Sequence, residues 1–401
     1  MQYPSPTSEA PFPGVPSVPW WSDITPDVID ALTLEPLWVV TQQIPTCDVI
    51  VIGGGVAGLS AVLSAQEAGL QGMLLEREPM LGYGATGRNA GILSAGINMH
   101  LTDLPLDSAE AAFWPDTTHL LLSLVETAQH DSLLRAHLTG ALSLAESKSA
   151  AKKLRREARA RNALGLRAEM WSPAQVIEAT HGRLNISTVI EAMWLPDEGR
   201  LHPLTLLAYL AKHARAAGAS LLGQAHVLSQ EAVILDDMHL WKITLSNGTV
   251  LYARSLIQTT GPTIQANARI YALAFNAGLP DNFPLFWDAA PYTYADFRPG
   301  NGRLTVSGGR YGRANVTRHD ATYYQRLAAS AQKWLPELAN QQPRYTWAVD
   351  LAVTADMVPI ARPLNATAPG IAIEGLGALG VLPGIVLGRR AGQQVARDVI
   401  S

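Results

Sequence analysis

The sequence contains a single cysteine, Cys47, so neither an internal disulfide nor a cysteine-based metal site can form. Charge is sparse as well: charged residues make up 16% of the 401, and acids outnumber bases by 34 to 30. A net charge of −4 gives no electrostatic reason to expect a nucleic-acid partner. There is no run of about eighteen uninterrupted apolar residues, which argues against a membrane span. The nearest approach, 371–387, is broken by Glu374, Pro383 and four glycines. The N-terminus lacks a charged segment followed by an apolar one, so no secretory signal and a cytoplasmic location are expected. Apolar residues, by contrast, reach 48%, enough in a chain of this length for a large core and two joined domains.

Residues 1–45 are rich in proline and carry Trp20, Trp21 and Trp38, so the segment is not one regular helix. It is either a flexible leader or an arm laid across the body; three exposed tryptophans would invite aggregation, which favours the arm. From Asp48 the pattern changes. A β-branched run at 48–52 reads as a buried parallel strand, followed by a glycine turn, a helix over 59–68 and a second strand at 72–76. The stretch 117–161 is long and helix-forming with few breakers, and 203–217 is a further helix that starts at a proline. Ser246-Asn247-Gly248 between 241–245 and 249–253 is a strong hairpin signal. Strands are expected at 255–260, 304–307 and 371–374, and a last helix at 384–399. There is no internal repeat.

Three segments satisfy the spacing GxGxxG: 53–58, 82–87 and 375–380. A bare match says little, so the flanking elements decide. The first follows a strand, opens a helix, and is followed by the acidic Glu76 at the end of the next strand. Gly53, Gly55 and Gly58 there let the backbone turn tightly and approach a pyrophosphate, whose charge sits on the helix N-terminus at Val56 and Ala57. Glu76 is then placed to accept hydrogen bonds from ribose hydroxyls. The second match does not follow a strand and is rejected as a dinucleotide fingerprint. The third follows the strand 371–374 and precedes a helix, but leaves no room before Ser401 for another strand and its acid. It reads as a loop feeding a helix N-terminus, a place suited to partial negative charge.

These residues together resemble the D-amino-acid oxidase superfamily of flavoproteins, which includes glycine, sarcosine and γ-glutamylputrescine oxidases. The segment 47–76 looks like the family's FAD-binding unit. Gly84, Ala85, Thr86, Arg88, Asn89, Ala90 and Gly91 are similar to the stretch that runs beside the flavin. The segments 139–145, 199–219, 258–261 and 347–387 carry the likeness onward, so only the N-terminal arm falls outside it. The resemblance implies an α/β protein: a Rossmann-type FAD-binding domain (46–100, 196–275 and 345–401) interleaved with an α+β substrate domain (101–195 and 276–344). The latter would carry a mixed or antiparallel sheet. It also implies Arg77, Val227, Thr260 and Gly261 as cofactor contacts, together with Gly377, Leu379, Gly380, Val381 and Leu382 in the C-terminal loop. The family's chemistry is hydride transfer from a carbon next to nitrogen to flavin N5, with reoxidation by O2 or another acceptor. The protein's part is orientation and electrostatics.

The sequence departs from the family where substrate and tether are concerned. Amino-acid-oxidising relatives often carry an arginine shortly after the segment resembling 345–347, where this chain reads Ala348-Val349-Asp350. Others carry one in the C-terminal loop, where Ala378 stands. An arginine fork is the usual grip on a carboxylate, so its absence points to a small amine or amino-acid derivative. Cys47 at the start of the first strand is a buried small residue rather than a flavin tether, and 82–91 holds no histidine, so non-covalent FAD is expected. Asp350, Arg310 and Tyr294 are the candidate catalytic residues. Asp350 would partner a cationic amine or cap a turn, Arg310 would bind an anionic group, assist oxygen reduction or face solvent, and Tyr292 and Tyr294 share one strand face as pocket lining or packing. His202 before Pro203 reads as a turn residue, and the basic run 152–161 as a solvated helix face. Two other readings stay open: a flavin-bearing subunit of a larger dehydrogenase, and an oxidase of a carboxylated amino acid such as glycine or a D-amino acid. Oligomeric state is not legible.

Overall fold

A computed structural model describes residues 18–37, 47–261, 265–288, 295–364 and 366–400, apart from the side chains at 309 and 310. The chain divides into two compact units, each assembled from three separate segments. Of the described residues, an antiparallel-sheet unit takes 18–23, 89–202 and 266–351, and a glycine-motif unit takes 24–88, 203–265 and 352–400.

In the glycine-motif unit the β-branched run Cys47–Ile52 is almost wholly buried, as a strand covered on both faces must be. It pairs in parallel with Gly72–Leu75 on one side and Val250–Gln258 on the other. Ser220–Gly223 and then Glu35–Pro36 extend the sheet in parallel beyond Gly72–Leu75. On the other side Met238–Leu245 and Val227–Leu235 continue it antiparallel. The hairpin at Ser246–Gly248 forms as its residues dictate, with Gly248 at φ +84°. The two strands read at 249–253 and 255–260 are one continuous strand, because nothing between them breaks the ladder. Gly370–Glu374 also pairs with it in parallel.

The helix Val56–Glu67 starts directly at the glycine turn, three residues earlier than the hydrophobic pattern suggests, and the terminal helix Val381–Ile400 packs against it. Glycines at 384, 388 and 392 recur every four residues and so share one helix face. A Cβ at Gly388 would sit 2.3 Å from Ala57 O, and one at Gly392 2.5 Å from Ala61 O. The two helices therefore touch backbone to backbone. At Gly384 the contact is with Val56 Cγ2, at 3.2 Å, so it runs up to the first turn of the helix that follows the glycine motif.

The antiparallel-sheet unit is built on eight strands among the described residues, in the order Tyr345–Leu351, Ala268–Asn276, Arg303–Arg313, Ala295–Gly300, Leu285–Asp288, Ala141–Ala145, Glu191–Leu195, Glu169–Trp171. All neighbours are antiparallel except Leu285–Asp288 and Ala141–Ala145. Period-two alternation sorts the side chains. Phe275, Phe286, Phe297 and Val306 face a core with Leu327, Ala331 and Trp334 of the helix Asp320–Trp334. On the other face Leu285, Trp287 and Met193 pack with Ala151 and Leu154 of the helix Lys148–Ala163.

The stretch 117–161 is not one helix. It is the end of Phe113–His130, the strands Ala136–Leu138 and Ala141–Ala145, and then Lys148–Ala163. Long-range pairing overrides local propensity here. Gly140 sits at φ +67°, where a Cβ would lie 1.8 Å from Trp194 Cη2, and this positive-φ turn admits 141–145 to the sheet. Ser147 then caps the new helix, its Oγ accepting from Ala150 N–H at 3.1 Å.

Candidate functional site

The three glycines of the first motif have three different reasons to be glycine. Gly53 lies at φ +107°, a conformation L side chains avoid, and a Cβ on it would meet Thr259 Oγ1 at 2.7 Å. Gly58 packs so closely beneath the turn that a Cβ would be 1.9 Å from Gly53 O. Gly55 has neither constraint: its φ of −79° and ψ of −178° suit any residue, and a Cβ would meet only Thr86 Oγ1, at 3.2 Å. A glycine with no demand from backbone or packing marks a place kept clear for something that approaches the main chain. Gly55 is also the N-cap of Val56–Glu67, a helix with no side-chain cap and no acid in its first turn. Val56 N–H points at Thr86 Oγ1, 3.4 Å away. A pyrophosphate fits such an uncapped helix start, because its charge is complementary to the N–H groups there.

Glu76 stands where the acid of a dinucleotide unit belongs. Its Oε2 accepts from Gly54 N–H at 2.7 Å and its Oε1 from Glu78 N–H at 3.1 Å, which fixes the carboxylate beside the turn. Thr259, whose neighbour Thr260 and not itself is among the expected contacts, donates from Oγ1 to Ile52 O at 2.9 Å and so holds the strand end against the turn. Thr260 is exposed beside Gly53, and Gly261 turns at φ +69°. Arg77 is exposed and paired with Glu78, while Val227 is half-buried against the core around Trp241 and Ile243.

The stretch 84–91 divides between the two units after Arg88. Gly84 and Ala85 are exposed, and a Cβ on Gly84 would meet nothing within 4 Å, so packing does not require that glycine either. Thr86–Arg88 is a single 3-10 turn. Beyond the division, Asn89 Oδ1 accepts from Gly91 N–H at 2.6 Å, Ala90 is half-buried, and Gly91 sits at φ +74° with room for a Cβ only 2.6 Å from Leu201 O. In the C-terminal loop Gly375 (φ +67°) and Gly377 (φ +60°) make the turn, and Gly377 N–H donates to Ala352 O at 3.3 Å. Leu379, Gly380 and Val381 are half-buried at the head of the terminal helix, whereas Leu382 is buried.

Cys47 is buried in the sheet, and burial pushes its thiol up to about 12. A thiol so held is neither nucleophilic nor accessible.

Within the antiparallel-sheet unit, side chains rather than backbone make the notable features. Trp20 and Trp21 are buried, and Trp20 Nε1 donates to Asn89 O at 2.9 Å. Arg298, 3% exposed, lies 4.8 Å over the Trp20 ring and donates to Gly91 O (3.2 Å) and Leu201 O (3.1 Å). His202 meets the same ring edge-on at 5.4 Å. It is buried, not a surface turn residue; burial first, and the charges of Arg298 and Arg135 second, hold it neutral by pulling its pKa down to about 3. Trp38 lies outside the described residues.

Residues 94–102 form a loop fastened at both ends by buried carboxylates. Glu198 accepts from Ala95 N–H at 3.0 Å and Glu157 from Leu101 and Thr102 N–H, both at 3.2 Å. Arg161 bridges the two acids at 3.2 Å each, so the end of the basic run is internal, while Lys152, Lys153, Arg155 and Arg156 are exposed. Burial outweighs Arg161 and leaves the Glu198 carboxyl above its usual range. At the apex of this loop Asn98 Nδ2 donates to Tyr311 Oη at 2.7 Å.

Of the expected catalytic residues, Asp350 is ion-paired with Arg269 at 3.0 Å, and Arg269 also holds Asp320 at 2.9 Å. Tyr292, Tyr294 and the side chain of Arg310 lie outside the described residues. No group of metal-binding side chains occurs among the described residues, and no helix among them is long and apolar enough to cross a membrane.

A family model described as FAD dependent oxidoreductase (DAO) matches residues 48–394. The γ-glutamylputrescine oxidoreductase of Escherichia coli K12 is 41% identical over 80 residues, which is 20% of this chain and 17% of that protein. The mitochondrial pyruvate dehydrogenase phosphatase regulatory subunit of Mus musculus is 27% identical over 180 residues, 45% of this chain and 19% of that protein. The matches thus span under a fifth of those relatives' lengths. Among solved structures, L-proline dehydrogenase from P. horikoshii superposes with a TM-score of 0.74 at 18% identity, covering 89% of this chain and 95% of that one. Glycine oxidase from Geobacillus kaustophilus gives 0.73 at 19% identity, covering 88% and 95%. The fold is shared with both. With the family model matched over most of its length, the chain belongs to the DAO family of FAD dependent oxidoreductases.

Proposed function

We propose that the chain oxidises a C–N bond of a small amine or amino-acid derivative, using FAD held without a covalent bond. The glycine-motif unit is the FAD-binding part in this reading, and the antiparallel-sheet unit carries the substrate contacts. The observation that carries the cofactor half is Gly55, a glycine that neither backbone nor packing requires, at the head of an uncapped helix. FAD supplies the two-electron oxidation when bound. The chain's own residues bind and orient it: Val56 and Ala57 N–H toward the pyrophosphate, Glu76 toward the ribose, and the head of the terminal helix toward negative charge on the ring. The buried, protonated Cys47 supports the absence of a thioether tether.

Support for C–N chemistry comes from the likeness to proteins named as a γ-glutamylputrescine oxidoreductase, a proline dehydrogenase and a glycine oxidase. Support for an amine comes from the stretch 348–352 and from Ala378, which hold no arginine where the resemblance to amino-acid-oxidising relatives leads one to expect it. The test is to denature the purified chain, identify FAD in the soluble fraction, and follow anaerobic bleaching of the native protein by small amines. Flavin that stays with the precipitated chain contradicts non-covalent binding, and flavin that no amine or amino acid bleaches contradicts the reaction. A second reading, a flavin-bearing subunit that passes electrons to a partner, is favoured by the match to a regulatory subunit over 45% of the chain. It predicts that the bleached chain stays reduced in air and releases no hydrogen peroxide.

A further inference from the structure

Most buried or half-buried carboxylates that stand out in this protein have a partner. Glu157 and Glu198 have Arg161, Glu374 has Arg362, Asp320 and Asp350 share Arg269, and Glu76 takes two backbone N–H groups. Asp296 differs: among the described residues its carboxylate has no cation and no hydrogen-bond donor. It is half-buried, yet surrounded densely enough that burial, and secondarily the charge of Asp288, push its pKa up to about 7. Its carboxyl is thus partly covered by the protein and partly open to solvent. An unpaired carboxylate in such a place costs stability, so the fold gains nothing from it in isolation.

The strand register says what lies beside it. Asp296 is the cross-strand partner of Trp287 and of Ser307, so the three project to one face, opposite the phenylalanine core of Phe286 and Phe297. Tyr311 lies on the strand of Ser307, near enough for the charge of Asp296 to raise its phenol further after burial has done so. Its Oη accepts from Asn98, which leaves its own proton without an acceptor among the described residues. Arg298, two residues along from Asp296, is committed to Gly91 O, Leu201 O and the Trp20 ring. Among the described residues the face thus offers an anion, a phenolic donor and a hydroxyl with no free cation beside them.

We propose that Asp296 is the group that receives a cationic nitrogen of the substrate, with Tyr311 O–H and the Ser307 hydroxyl holding the polar atoms next to it. The preference rests on the C–N oxidation proposed above. It selects protonated primary or secondary amines and disfavours substrates that place a carboxylate at that point, since two like charges close together repel.

The experiment uses the full flavin-loaded chain and its Asp296→Asn and Asp296→Ser variants. Anaerobic bleaching is titrated with n-butylamine, N-methylbutylamine, glycine and L-proline, and each protein is also melted. The expected result is that the amines bleach the wild type. The variants then need about 10- to 100-fold more amine for half-maximal bleaching, the loss of one charge-assisted contact. The limiting rate changes little, as loss of uniform binding requires. Both variants melt at or above the wild-type temperature, because no partner is orphaned. Amines that bleach wild type and variants at equal concentrations overturn the assignment of Asp296 while leaving amine oxidation intact. Bleaching of the wild type by glycine or proline alone overturns the amine preference itself, and the proposal with it. A melting temperature lowered by several degrees in both variants makes Asp296 structural and also overturns it.

Discussion

The two units specify their working parts in different ways. In the glycine-motif unit the cradle is main chain: Gly53 sets the turn by its φ, Gly58 clears the floor, and Gly55 leaves the helix start open. In the antiparallel-sheet unit the corresponding features are side chains that meet only through distant pairing, as Asp296 with Ser307 or Asn98 with Tyr311. The first kind of site is written in six consecutive residues. The second is written in strand register and burial.

Substitutions can break this contrast. The largest effect is expected for Arg161→Leu, which leaves Glu157 and Glu198 buried without their shared cation and frees both ends of the 94–102 loop. Urea unfolding should show a loss of about 3–5 kcal/mol. Next comes Gly58→Ala, whose methyl would press on Gly53 O; a loss of about 3 kcal/mol is expected together with loss of FAD. Gly55→Ala is the sharper companion: it should melt within a degree or two of the wild type yet bind FAD at least about tenfold more weakly, measured by titrating the apoprotein. Equal losses of stability and FAD in the two glycine variants would mean that Gly55 serves packing and not a ligand.

A smaller, pH-dependent effect separates the half-buried Asp296 from the buried His202 of the antiparallel-sheet unit. Asp296 is raised to about 7 in the fold from 3.8, so its carboxyl is more easily ionised in the unfolded chain, and stability falls as pH rises from about 4 to 7. His202 is lowered to about 3 from 6.5, so stability is instead lost as pH falls from about 6.5 towards 3. Thermal melts across this range should lose the first slope in Asp296→Asn and the second in His202→Asn. The smallest effect is expected for Asp350→Asn: Arg269 keeps Asp320, so half-saturation by amine should stay within about twofold of the wild type, the change being confined to one partly exposed ion pair.

How much was legible follows the same division. The strand at 47–52, the glycine turn, the hairpin at Ser246–Gly248 and the helix from Pro203 are local patterns, and each stands where its residues place it. The reading of 117–161 as helix failed beyond His130, because the strands Ala136–Leu138 and Ala141–Ala145 form on partners far along the chain, Gly199–Leu201 for the first and Glu191–Leu195 and Leu285–Asp288 for the second. For the candidate site, the glycine turn and Glu76 beside it could be named from spacing, whereas the proposed Asp296 and Tyr311 could not. The one local signal was an acid and an arginine two apart, flanking Phe297 in an otherwise apolar strand. Asp350, expected from the sequence to partner a cationic amine or cap a turn, is ion-paired with Arg269. A sequence shows an ionisable residue but not the partner it has already found.

The central claim, an amine-oxidising flavoprotein with its cofactor on a backbone cradle, is tested most directly by a paired anaerobic titration of the purified, flavin-loaded chain. One cuvette receives n-butylamine and the other glycine. The account predicts that the amine bleaches the flavin at concentrations where glycine leaves it oxidised. Bleaching by glycine alone, with the amine inert, would contradict it.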